Sequence, residues 1–406
     1  MTVLIYKTIK IFLASILLFT VNAKAITFEE ALLVLQKHES VESALFKYKA
    51  SSEKAKLKGS WGDPNFKIAA KNFPVDTLSY NQTPMTGIEF GISQKVPLTT
   101  KYGKIKSAFD SLSQAYHYEA KDKKEKLTKS FWEILILKRK ISEELSILKD
   151  DSLWIEKILK VSSRLYETGK VSQQALLELQ IRKAEIERDI NNKNYEHSQI
   201  DDKLIYLIGN TKIEKQSIPW SSLRAGVTET VDYRDLGLQK KLKAKEYSLR
   251  ASKLNYVPDL TVSLGYTQRS NIDGSGDFIS AAISFPIPIS DERSSKYEMA
   301  VQEKFKISKE YENYTKTKNR DIAILSKDIE KLISEIDILE NKMIKFAINS
   351  RKITSMSYSV GNSSYVELLQ SELKLQKFLM EKVMLEAKRD SKKVTLKYIK
   401  GEPLNE

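Results

Sequence analysis

The 406-residue sequence contains no cysteine. That excludes a disulfide framework and a thiolate nucleophile, and leaves packing or oligomerisation to supply stability. Histidine is nearly as scarce: His38, His117 and His197 lie far apart and read as surface helix residues, not metal ligands. The sequence has no phosphate-binding loop, no paired-histidine helix motif and no glycine-rich dinucleotide turn after a strand. No catalytic, cofactor-binding or metal site is expected, and an enzyme is not indicated. Met380 and Met384 share a helix face and could offer soft ligands to copper. With no third ligand, ordinary packing accounts for them. Beyond the first 25 residues no window approaches the apolar length of a membrane helix.

Glycine (14) and proline (9) are few, and the gaps between them define the chain. Residues 104–168 contain neither, which predicts one unbroken helix about 97 Å long. Its apolar positions, among them Ile134, Leu135, Leu137, Ile141, Leu145, Leu148, Ile155, Ile158 and Leu159, form a narrow stripe amid dense charge. Such a rod needs a partner of similar length, because helices in globular domains average about 11 residues. Residues 289–360, again free of both breakers, predict a second rod of about 108 Å. Each rod ends at a lone glycine in a similar phrase, Tyr166-Glu167-Thr168-Gly169-Lys170-Val171 and Tyr358-Ser359-Val360-Gly361-Asn362-Ser363. Glycine there supplies the left-handed cap that stops a helix and reverses the chain. Two further uninterrupted stretches follow, residues 170–208 and 362–400, each about 58 Å as helix.

Charge is plentiful: Lys and Arg number 67 against 53 Asp and Glu, a formal net charge of +14. The lysines are spread along helices among acids instead of forming a patch, so a solvated face is expected and nucleic acid is not. Lys7 and Lys10 flank an apolar core, residues 11–21, that ends in Ala23-Lys24-Ala25. Residues 1–25 therefore read as a signal peptide with an Ala-x-Ala cleavage site, the apolar run being short for a membrane span; an uncleaved anchor is the alternative. No cysteine follows Ala25 to carry acyl chains. Cleavage would lower the formal charge to about +11.

Ahead of each rod the period changes. A helical stretch over residues 27–58 opens with a capping box, Thr27 and Glu30, and ends at Gly59, Gly62 and Pro64. Alternation of Phe66, Ile68 and Ala70 with polar neighbours, and of Ile88, Phe90 and Ile92 likewise, predicts strands over about 65–73 and 87–96. A second helix, residues 231–256, stops at Pro258, and strands follow over about 260–268 and 277–285. Pro64 with Pro258, Pro97 with Pro286, and Gly169 with Gly361 pair at offsets of about 190 residues, which makes residues 26–220 and 221–406 two tandem repeats. If the shorter helices stack end to end against each rod, the chain forms four helical columns with its strands together at one end. Four strands cannot close a membrane barrel, whose smallest examples have about eight, so the chain must oligomerise; three copies give about 12 strands. A soluble sandwich is the other reading of the alternation. The polar positions Lys67, Lys71, Glu89, Lys95, Thr261, Ser263 and Thr267 are the candidates for a barrel interior.

The run Asn72-Phe73-Pro74-Val75-Asp76-Thr77-Leu78-Ser79-Tyr80-Asn81-Gln82-Thr83-Pro84-Met85-Thr86, followed by Gly91-Ile92-Ser93-Gln94-Lys95-Val96-Pro97, resembles the first strand pair of TolC-type outer-membrane efflux proteins. Gly169-Lys170-Val171-Ser172-Gln173-Gln174-Ala175-Leu176-Leu177 and residues 361–370 resemble that family's two periplasmic tip turns, and the branch serving heavy-metal resistance-nodulation-division pumps is the nearest. The resemblance implies a mainly helical fold carrying a membrane β-barrel. It also implies a homotrimer in outer-membrane lipid, a 12-stranded barrel continued by a helical barrel in the periplasm. Such a duct passively conducts metal ions, drugs or other small molecules, with a periplasmic adaptor and an inner-membrane pump as partners. By position, Gly169, Val171, Ser172, Gln173 and Leu176, with Gly361, Ser363, Ser364, Val366 and Leu368, would face the adaptor. Two departures stand out: Ala175 occupies a place that is often acidic, and Lys101-Tyr102-Gly103-Lys104 follows Pro97 with more than the usual spacing. A periplasmic coiled-coil adaptor or a structural rod would share the long helices and export signal, but not the duplicated strand pairs.

Overall fold

Helices occupy the stretches with little or no glycine and proline, and strands occupy the four alternating segments. The computed structural model describes residues 25–209, 212–223 and 230–404; the expected signal peptide lies outside them but for Ala25. The elements are α1 (Phe28–Gln36), α2 (Glu39–Gly59), β1 (Asn65–Lys71), β2 (Gly87–Val96), α3 (Lys101–Glu167), α4 (Gln173–Ile208), α5 (Tyr233–Leu254), β3 (Leu260–Arg269), β4 (Phe278–Ser284), α6 (Glu292–Ile338), α7 (Lys345–Ser359) and α8 (Tyr365–Lys400). A π-helical turn, Leu339–Ile344, joins α6 to α7.

Three expectations are corrected. The helix expected over residues 27–58 is two helices. The α1 helix opens on the capping box, Thr27 Oγ1 accepting from the Glu30 amide at 3.2 Å and Glu30 accepting from the Thr27 amide at 2.8 Å. It closes at Lys37, whose amide bonds back to Val34, and α2 starts afresh at Glu39. His38, in that break, is buried instead of sitting on a helix surface. The second rod is not one continuous α-helix. Its buried positions run Leu332, Ile336, Leu339, Ile344 and Ala347, and the five-residue step from Leu339 to Ile344 is too long for an α-turn. A π-turn takes up the extra residue and keeps both side chains on the face that packs against Leu375 and Leu385 of α8.

The chain divides into two compact units, and each draws on both halves of the sequence. The first comprises residues up to 38, 124–231 and 320 onward. Its largest core gathers Phe28 and Leu35 of α1, Phe131, Trp132 and Leu135 of α3, Leu204 and Leu207 of α4, and Val394 of α8. Phe28 stacks on Phe131 at 5.6 Å between ring centroids and lies 4.9 Å from Trp132. The Trp132 indole, fully buried, donates to the Leu404 carbonyl at 2.7 Å, so its polar edge is satisfied.

The second unit comprises residues 39–123 and 232–319. Its helices meet through small side chains: Ala55, Ala108, Ala115, Ala120, Ala244 and Ala251 are buried, with Gly237 of α5 against the Ala115 carbonyl. Asp232 caps α5 and accepts from Tyr314 and Lys318 of α6, each at 2.6 Å. The four strands form one antiparallel sheet in the order β1-β2-β3-β4. The loop between β1 and β2 is pinned by Thr86, whose hydroxyl donates to the Asn72 carbonyl at 2.9 Å, and by Arg269, which donates to the Pro84 carbonyl at 2.8 Å.

Candidate functional site

The two chain reversals of the first unit share one construction. After α3 the Gly169 amide bonds the Tyr166 carbonyl at 2.9 Å and the Lys170 amide the Leu165 carbonyl at 2.8 Å. After α7 the Gly361 amide bonds Tyr358 and the Asn362 amide bonds Ser357, both at 3.0 Å. Each pair is a Schellman closure, and it requires the left-handed φ of +72° and +84° found at Gly169 and Gly361. The next helix is capped at once: Ser172 accepts from the Ala175 amide, and Ser364 forms a reciprocal box with Glu367. Backbone groups at both turns are thus satisfied locally, leaving the side chains free to face outward.

Beneath the turns Ile155, Leu165, Leu179, Ile186, Tyr358 and Leu368 pack together, and the buried Tyr358 hydroxyl lies 2.8 Å from Ser162 Oγ. Of the expected adaptor-facing residues, Gly169, Ser172, Gln173, Gly361, Ser364 and Val366 are exposed, while Val171, Leu176 and Ser363 are half-buried. Leu368 is corrected. It is fully buried under the turn because its place, one turn into α8, points at the core. Ala175 is buried too.

Sequence reasoning missed a polar cluster on the same hairpins, three to five helical turns from the glycines. Asp151 of α3 and Glu372 of α8 are both buried, with Arg182 of α4 and Arg351 of α7 beside them. Arg351 Nη1 donates to both Glu372 oxygens at 3.2 and 3.3 Å, and Arg182 bonds Glu185 at 2.8 Å and Gln376. Burial, reinforced by the Glu372 carboxylate, pushes the Asp151 carboxyl up to about 8 against the pull of the two arginines. Asp151 Oδ2 is buried without a hydrogen-bond partner, a setting that disfavours its ionised form. The signal was present in the sequence: Leu148, Asp151 and Ile155, and Leu368, Glu372 and Leu375, put an acid in the middle of an apolar stripe.

In the second unit the pairings Lys67↔Gly91↔Gly265↔Ser280, Ala69↔Glu89↔Thr267↔Phe278 and Lys95↔Thr261↔Ser284 fix the two faces of the sheet. All seven expected interior residues, Lys67, Lys71, Glu89, Lys95, Thr261, Ser263 and Thr267, fall on one face. Phe66, Ile68, Ile92, Leu264, Ile279 and Ile283 fall on the other, each at least half exposed. Reasoning from alternation did not anticipate Asp259, which sits just before β3 and takes Lys95 at 3.1 Å and Lys101 at 2.9 Å. Among the described residues no helix is long and apolar enough to cross a membrane, and no group of three or more His, Cys, Asp or Glu could hold a metal ion. Met384 is exposed and Met380 half-buried.

A four-stranded sheet with one apolar and one polar face, joined to paired helical hairpins that close on glycine turns, defines the fold of the TolC-type outer-membrane channels. Comparison with solved structures gives that fold directly. CusC, known from crystal structures describing transmembrane channel formation, matches with a TM-score of 0.78 at 14% identity over 95% of this chain and 96% of its own. The outer-membrane protein VceC of Vibrio cholerae matches with a TM-score of 0.76 at 14% identity, covering 92% of this chain and 96% of its own. The Campylobacter jejuni outer-membrane channel CmeC matches with a TM-score of 0.74 at 14% identity, covering 91% and 84%. No protein-family model and no curated protein matches the sequence.

Proposed function

We propose that the chain is one protomer of a homotrimeric exit duct in the outer membrane, with its helical hairpins in the periplasm. It would act without catalysis or cofactor. The sheet carries this reading: four strands, an exposed apolar face on one side, and β1 and β4 at its two edges. Four strands leave edge backbone groups that lipid cannot satisfy, so copies must pair edge to edge; three supply about 12 strands, enough to close. The apolar face then meets lipid, and Lys67, Lys71, Glu89, Lys95, Thr261, Ser263 and Thr267 line the lumen. The two sequence halves, residues 26–220 and 221–406, act as tandem repeats that each contribute a strand pair and a hairpin. A periplasmic adaptor docks at the exposed residues of the two turns, Ser172, Gln173, Ser364 and Val366 among them. A resistance-nodulation-division pump in the inner membrane supplies the energy, and cargo is a metal ion, a drug or another small molecule. The phrases around Gly169 and Gly361 support the heavy-metal branch of the family. At rest, packing among the helices near those glycines closes the tip.

Mass measurement in detergent and single-channel recording in a planar bilayer test the reading. A trimer with discrete conductance is expected. A water-soluble monomer without conductance refutes it and favours a periplasmic helical adaptor or rod.

A further inference from the structure

The polar face of the sheet carries unequal charge. Glu89 is met by Lys71 at 2.6 Å and Lys67 at 3.5 Å, and Asp259 by Lys95 at 3.1 Å and Lys101 at 2.9 Å. Each carboxylate thus faces two ammonium groups. Arg269 adds nothing to the surplus, because its buried guanidinium is taken up by Asp273 and by the Pro84 and Gly276 carbonyls.

The charges are also layered. The side chains of Glu89 and Asp259 are only 15% and 5% exposed, whereas Lys67, Lys71 and Lys95 are 61%, 44% and 51% exposed. Glycine makes this possible. A Cβ at Gly265 would stand 3.1 Å from Glu89 Oε1 and one at Gly91 3.9 Å from it, so the missing side chains form a trough in which Glu89 lies flat. Solvent on this face meets ammonium groups, with the acids beneath them.

We infer that this face makes the membrane section of the duct selective among small permeant ions, passing anions more readily than cations. The inference rests on the proposed trimeric duct. Within a closed lumen the surplus of three chains faces one aqueous space bounded by a low-dielectric wall, which focuses the field. Screening acts over about 8–10 Å at ordinary salt, so ions passing within that distance of the wall feel its charge. Anions and cations respond with opposite sign, so a local potential of about 1 kT changes their ratio about sevenfold.

The test is the reversal potential of the full-length trimer in a planar bilayer across a potassium chloride gradient. Chloride is expected to permeate better than potassium. Lys67→Gln with Lys71→Gln strips the cover from Glu89 and should move the ratio several-fold towards potassium, while Glu89→Gln should move it further towards chloride. Should the double variant fail to assemble, Lys95→Gln reads the same shift at the second carboxylate. A wild-type preference for potassium, or a ratio unmoved by these variants in channels of normal conductance, overturns the inference. A protein that gives no conductance overturns the duct itself, which is a separate outcome.

Discussion

The buried acid pair between the hairpins makes the stability of that region fall as pH rises. Asp151 titrates near 8 in the folded chain and near 3.9 once exposed, because burial and the neighbouring Glu372 both disfavour its charge. Between those values the closed state holds a proton that the open state has released, so closing takes up close to one proton. Its contribution is undiminished below about pH 4, declines through the window to about pH 8, and is constant above it. One proton gives about 1.4 kcal/mol per pH unit, hence up to about 2.7 kcal/mol, a hundredfold in the opening equilibrium, between pH 5 and pH 7. Hydrogen exchange of the detergent-purified protein, corrected for the intrinsic pH dependence of exchange, reads this locally in peptides containing Asp151 and Glu372. Protection there should fall towards pH 7 more steeply than in peptides around Phe131. Asp151→Asn, which cannot ionise, should flatten the profile. Equal pH dependence in wild type and Asp151→Asn would refute the reasoning.

Three further outcomes follow from single contacts. Trp132→Phe keeps an aromatic ring in the largest core but leaves the Leu404 carbonyl without its donor; a loss of about 1–3 kcal/mol is expected in thermal unfolding followed by near-ultraviolet dichroism. Tyr358→Phe deprives the fully buried Ser162 hydroxyl of its partner and should cost about 1–2 kcal/mol, read as faster exchange near the turns, with Ser162→Ala in the same background restoring part of it. Gly169→Ala and Gly361→Ala each force an L-residue into left-handed backbone at about 1–2 kcal/mol, and the latter should cost more because its Cβ would also stand 3.3 Å from Lys170 Cδ; limited proteolysis at the two turns measures the difference.

Much of the architecture was legible because local rules govern it. A stretch without glycine or proline continues as helix, a lone glycine between helices takes the left-handed cap, and strict alternation puts one set of side chains on each face of a strand. Hence α3 and the turns at Gly169 and Gly361 fall where the pattern puts them, and the seven polar strand residues share a face. The five-residue spacing from Leu339 to Ile344 signals the π-turn within the second rod, whereas nothing in the periodicity of residues 27–58 marks the break at Lys37.

The sequence by itself determined the elements, their lengths and the faces they offer, since propensity, capping and period act between residues a few positions apart. Tertiary structure alone decided which residues from distant segments meet. It brought Asp151, Arg182, Arg351 and Glu372 from four helices into one buried cluster, turned Leu368 from an expected docking residue into core, and set two lysines over each of Glu89 and Asp259. Those meetings depend on the register of one element against another, a quantity fixed by packing across the fold and not written in any one stretch of chain.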